Sequence, residues 1–153
     1  MFGWNKESGM SVESILAAFR KEFPNEHGTF DLLPGESINV AVREHNVPRM
    51  KGVYVIFAGK EIVYIGKAGT LLRDGSFRNQ TLRVRLTRKQ DKVSRKIFFE
   101  TKMEEMNLPA LRFEWFVTFD GARTLVPPFL AEAELLAAFY SDFRRLPSWN
   151  KSA

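Results

Sequence analysis

Two apolar runs rich in β-branched and aromatic residues, VYVIF at 53–57 and IVYI at 62–65, flank a four-residue break, AGKE. Runs of this composition and spacing read as the two arms of a β-hairpin, so residues 51–69 set the frame the rest of the chain must fit. The register is open. A two-residue turn at Gly59-Lys60 would send Tyr54 and Tyr64 to opposite faces, whereas an odd loop or a bulge would bring them to one face.

Around this hairpin the pattern alternates between helix and strand. Ser11 can cap a helix over 11–23, with Ile15, Leu16, Phe19 and Phe23 as its apolar stripe. Residues 24–50 carry turn signals and short strand-like pieces such as 38–42, with His27 and His45 as surface or packing residues. A polar loop at 69–79 leads to a helix over 80–90. There Leu82 and Leu86 define the apolar face, Arg85 borders it and Arg83 points away. A second helix is expected over 96–107, with Ile97, Phe98 and Met103 apolar. An aromatic, alternating strand over 111–119 belongs beside the hairpin. The last helix runs over 129–145, with Pro128 near its first position. Leu135, Leu136, Phe139 and Phe143 form its stripe, and Glu132 sits on the same face. A carboxylate there is costly unless it is paired or binds a metal.

Composition narrows the function classes. At 153 residues the chain is long enough for one well-cored domain. It has no secretory pattern and no apolar run approaching the ~18 residues of a membrane span, so no membrane partner is expected. It has no cysteine, which excludes disulfides and thiolate zinc sites and fits a reducing compartment, so a cytoplasmic location is expected. With two histidines, a mechanism resting on several of them is disfavoured. Residues 1–50 hold five Lys/Arg against seven Asp/Glu, so the excess positive charge lies beyond them. It is densest between Arg73 and Lys96, with nine Lys/Arg and two Asp. Arg73, Arg78, Arg83, Arg88, Lys89, Lys92 and Arg95 are the candidates for contact with a polyanion.

The triplets Gly52-Val53-Tyr54 and Tyr64-Ile65-Gly66, one on each arm and the second followed by Lys67, resemble the GIY-YIG nuclease superfamily. Later elements agree. Arg85-Leu86 resembles the arginine on the helix after the hairpin. Glu132-Ala133-Glu134-Leu135-Leu136 resembles the family's glutamate segment, and Leu146-Pro147-Ser148-Trp149-Asn150 its closing proline-to-asparagine segment. The resemblance covers about residues 51–151. It implies an α+β fold: a small, mainly antiparallel three-stranded sheet flanked by helices, with both tyrosines bordering one site. Residues 1–50 would then be an N-terminal helical and irregular extension to a nuclease domain at 51–153. There are departures. The usual spacing places the arginine near Arg73, so Arg85 requires a loop insertion, and Lys89 stands where a histidine often follows.

What the resemblance implies is a metal-dependent DNA endonuclease acting on duplex DNA. Arg85 would hold the scissile phosphate and Glu132 one Mg²⁺ or Mn²⁺. Tyr54 and Tyr64 would jointly activate water, which requires nearby positive charge because a free phenol titrates near ~10. Lys67 and the arginine would supply that charge, and Asn150 would orient the site. A homodimer would suit symmetric cleavage. The competing readings are a catalytically inactive nucleic-acid-binding module on the same scaffold and a structural protein whose aromatic strands form a partner surface.

Overall fold

In the computed structural model, residues 11–78, 81–88 and 93–153 are described. The elements follow as α1 (Val12–Glu22), β1 (His27–Leu32), α2 (Ile38–Glu44), β2 (Lys51–Ala58), β3 (Glu61–Ala68), α3 (Leu82–Thr87), α4 (Arg95–Glu105), β4 (Leu111–Phe119) and α5 (Pro128–Phe143). The fold is α+β. Its strands form one antiparallel sheet of four, not three, in the order β1-β4-β2-β3.

The additional strand comes from the stretch expected to be irregular. In HGTFDL, Phe30 and Leu32 point inward while Thr29 and Asp31 face solvent, and this short alternation pairs with β4 from His27↔Phe116 to Leu32↔Leu111. The strand-like piece at 38–42 is instead the start of α2. Ile38, Ala41 and Val42 lie three and four residues apart and are buried together, so helical spacing overrides the β-branched composition.

Helices cover both faces of the sheet. On one face, α1 and α5 bring Leu16, Phe19, Leu135 and Phe139 onto Val53, Val55, Ile65 and Phe116. On the other, α2, α3 and α4 bring Val42, Leu82, Leu86, Phe99 and Met103 onto Tyr54, Ile56 and Phe113. Residues 12–44 thus supply α1, β1 and α2 to the same sheet and to both cores.

Two helical stripes differ from expectation. In α5 the inward residues are Ala131, Leu135, Leu136, Ala138 and Phe139, while Phe143 is 53% exposed. The helix ends there, with Arg144 in the left-handed region at φ 58°. In α4 the inward residues are Arg95, Phe99 and Met103, four residues apart, and Ile97 faces solvent. No helix among the described residues is long and apolar enough to cross a membrane.

Candidate active site

The hairpin contains both devices that the sequence left open. Ala58 pairs with Glu61 across the two-residue Gly59-Lys60 turn, and Phe57 pairs with Ile62. The next pair is Ile56↔Tyr64, so Val63 is an extra residue. This bulge shifts the alternation by one and brings Tyr54 and Tyr64 to one face, with ring centroids 5.8 Å apart.

Packing explains the glycines of both triplets. Gly66 lies opposite Tyr54. A Cβ there would stand 2.7 Å from Tyr54 Cζ and Oη and 2.7 Å from Tyr64 Cε2, so the rings lie over bare backbone. At Gly52 a Cβ would run into the Phe116 carbonyl of β4, so that glycine permits close approach of the neighbouring strand.

Tyr54 is fully buried, and its hydroxyl, with the Tyr64 hydroxyl in its neighbourhood, meets no partner at hydrogen-bonding geometry among the described residues. Burial pushes its pKa well up. The charge of Arg95 opposes this, Tyr64 adds to it, and the charge of Arg85 again opposes it. Tyr64 is half-buried and keeps access to solvent. Arg85 is carried by α3, a short helix capped by the Thr81 side chain and anchored by buried Leu82 and Leu86. The Leu82 N–H also donates to the Met50 carbonyl at 2.9 Å, fixing the helix against the entry to β2. Arg85 is half-buried, and its Nε is sealed without an acceptor.

Lys67 stands opposite Val53 and therefore on the other face of β3, with α5. Glu132 of α5 is half-buried. Burial raises its pKa, while Lys67 and then Arg85 draw it down. Arg85 therefore acts on both sides of this edge strand, on Tyr54 and on Glu132. Arg73, the other candidate for that position, is exposed in a turn beside Asp74.

The donor set fits a hard cation only in part. Among the described residues no group of three or more His, Asp or Glu converges on a point. Glu132 offers one carboxylate with no hydrogen bond or ion pair of its own, so a cation there would take its other ligands from water and phosphate oxygens.

Asn150 is occupied by the backbone of β3. Its Oδ1 accepts from the Ile65 N–H at 3.0 Å and its Nδ2 donates to the Ile65 carbonyl at 2.9 Å. The Trp149 N–H donates to the Val63 carbonyl at 2.9 Å, at the bulge itself. The tail thus covers the free edge of β3 and fixes the backbone between Tyr64 and Gly66. Both the carbonyl oxygen and the amide nitrogen of the Asn150 side chain are engaged by the Ile65 backbone.

The basic stretch is not one continuous surface. Arg73, Arg78 and Arg88 are exposed. Arg83, expected to point away into solvent, is half-buried and donates from Nε to the Val47 carbonyl at 2.7 Å. Arg95, expected among the surface contacts, is 2% exposed. Its position four and eight residues before Phe99 and Met103 was the signal of burial that a count of basic residues overlooks. Lys89 and Lys92 lie outside the described residues.

A second charged cluster lies away from the tyrosines. Glu114, buried on β4, accepts from Arg20 Nη2 at 2.7 Å and Nε at 2.8 Å, and pairs with His27 Nε2 at 2.8 Å. Burial pushes the Glu114 carboxyl up, but the Arg20 hydrogen bond and charge and then His27 outweigh it and hold it below the usual range. His27, stacked on Phe116, is thereby a packing residue.

Comparison with protein-family models, with curated proteins and with solved structures returned no match for the chain.

Proposed function

We propose that the chain is a metal-dependent endonuclease of GIY-YIG type that hydrolyses phosphodiester bonds in duplex DNA. One observation carries the reading. The tyrosine pair, an arginine whose Nε has no acceptor among the described residues and a half-buried glutamate with no ion pair among them are gathered about one edge strand, and the arginine's charge reaches both tyrosine and glutamate.

Hydrolysis of a DNA backbone needs charge neutralised at phosphorus and a positioned water. Arg85 offers a planar fork of donors for the non-bridging oxygens. Tyr64, with its solvent access, meets the attacking water. Tyr54, sealed behind it and kept protonated by burial, supports the ring pair over Gly66. Lys67 offsets negative charge on the Glu132 side. Glu132 would hold Mg²⁺ or Mn²⁺, which when bound supplies Lewis-acid stabilisation of the phosphoryl and leaving oxygens. The exposed Arg73, Arg78 and Arg88 give the flanking backbone contacts, which carry salt dependence and no sequence information.

The alternative, a nucleic-acid-binding module without catalysis, is favoured by the single carboxylate and the sealed Tyr54 hydroxyl. A plasmid assay separates the two readings, comparing Mg²⁺, Mn²⁺ and EDTA for the natural chain and Glu132→Ala. Metal-dependent nicking that is lost in the variant supports the nuclease. Salt-sensitive DNA binding with no cleavage in either metal supports the binding module.

A further inference from the structure

Arg95 opens α4 and is the largest side chain among those withdrawn from solvent, at 2% exposure. Its Nε is sealed without an acceptor, and among the described residues no hydrogen bond or ion pair reaches its guanidinium. Glu114, the other buried charge of note, shows what this fold does when it keeps a charge inside, since it is matched by Arg20 and His27. Arg95 has no such match. A guanidinium cannot escape by losing its proton at any ordinary pH. As the first residue of a helix it also meets the positive end of the helix dipole. Packing does not require it either, because Phe99 and Met103 continue the same inward stripe with apolar atoms.

Its surroundings define what is missing. The neighbouring Tyr54 hydroxyl is sealed and without a partner, and so is Arg85 Nε. Arg95 and Arg85 both lie within electrostatic reach of that hydroxyl. Among the described residues the cluster is thus rich in donors and positive charge, and the carboxylate that Arg85 reaches, Glu132 of α5, belongs to the other face of the sheet and makes no ion pair with it. The cluster's complement is an anion with several acceptor oxygens held in a fixed geometry, which describes a phosphoryl group.

We propose that Arg95 is a second catalytic arginine: with Arg85 it forms a two-armed receptor that grips a phosphoryl group from the buried side, next to Tyr54. The receptor rests on the nuclease reading only for the identity of that group as the scissile phosphate of DNA. It separates Arg95 from the exposed arginines. They set affinity for the flanking backbone, whereas Arg95 acts on the phosphate that reacts.

The test combines melting with cleavage, on the full chain. Thermal melting is followed in chloride and in inorganic phosphate at equal ionic strength. The chains compared are the natural one, Arg95→Met, Arg95→Lys and the double variant Arg85→Gln/Arg95→Met. The double variant reports the non-specific effect of phosphate. Arg95→Met should melt no lower than the natural chain in chloride, because it removes an unmatched buried charge. Its phosphate-induced rise should fall to that of the double variant. Arg95→Lys keeps the charge and loses the fork, so it tests the receptor even if the Met form does not fold. It should lose most of the phosphate-induced rise and slow cleavage by about 10²-fold or more.

A natural-sized phosphate effect in Arg95→Lys, with natural cleavage rates, overturns the receptor while leaving the nuclease intact. An Arg95→Met form that melts lower in chloride yet keeps the full phosphate effect makes Arg95 structural and also overturns it. A natural chain that cuts no DNA in either metal, but whose phosphate effect requires Arg95, removes the nuclease reading and retains the receptor.

Discussion

Replacing Asn150 by Asp exchanges one hydrogen-bond donor for an acceptor and leaves the shape unchanged. The native amide satisfies both backbone groups of Ile65, at 3.0 Å and 2.9 Å. Each such bond contributes roughly 0.5–1.5 kcal/mol net, so Asn150→Ala, which removes both, should cost about 1–3 kcal/mol. For a chain of 153 residues, each kcal/mol lowers the melting temperature by roughly 2–4 °C. Asn150→Asp keeps the bond from the Ile65 N–H but sets a carboxylate oxygen against the Ile65 carbonyl. At neutral pH it should therefore cost about as much as Ala. On acidification the carboxyl gains an O–H that can donate to that carbonyl. The folded state thus raises the pKa of this Asp above its unfolded ~3.9. The recovered stability is fully present below the unfolded value and is lost as pH rises through the folded one. Melting curves by circular dichroism for the three chains, from acid to neutral pH, read this directly. In both variants cleavage measured well below melting should fall, because the backbone between Tyr64 and Gly66 is freed. An Ala form with the natural midpoint, or an Asp deficit that does not shrink in acid, would refute the idea that the tail holds β3.

Gly66→Ala places a methyl group 2.7 Å from both tyrosine rings; it should cost about 1–3 kcal/mol by overpacking and change the near-ultraviolet tyrosine signal, checked by urea melts and dichroism. Glu114→Gln should destabilise the chain by about 1–2 kcal/mol at neutral pH, a figure reduced because the Arg20 side chain is 42% exposed. Because the folded state depresses the Glu114 pKa, its contribution is present above the unfolded value and lost as pH falls through the folded one. The natural chain should therefore lose stability in acid faster than Glu114→Gln, as melting from pH about 3 to 6 would show. Glu132 has its pKa raised, so its charged form burdens the fold above the unfolded pKa. Glu132→Gln should melt at or slightly above the natural temperature at neutral pH, while losing any metal-dependent cleavage.

Much of the fold was legible because local and long-range signals agreed. Ser11, the apolar spacing of α1, the hairpin and the alternation of β4 each point to one structure. The misreadings arose where two periods competed over a short stretch. Ile38, Val40 and Val42 suggest a strand by composition and β-spacing, yet Ile38, Ala41 and Val42 are buried together on a helix. In β1, six residues are too few for alternation to stand out from a loop. At the site, the residue types around Tyr54, Tyr64, Arg85 and Glu132 were readable, but the sides of the sheet were not. Which face Tyr64 and Lys67 occupy depends on the bulge at Val63, and no local turn residue declares it. Counting charges placed Arg95 on the surface, whereas its spacing to Phe99 and Met103 placed it inside.

The location of these groups restricts how a molecule on this plan can be enlarged. The tyrosines, on β2 and β3, share one face of the sheet and Lys67 of β3 lies on the other, so whatever engages both must pass around an outermost strand. A further strand laid along β3 would displace Trp149 and Asn150 from its backbone and come between the two groups. The sheet is therefore closed to growth on that flank.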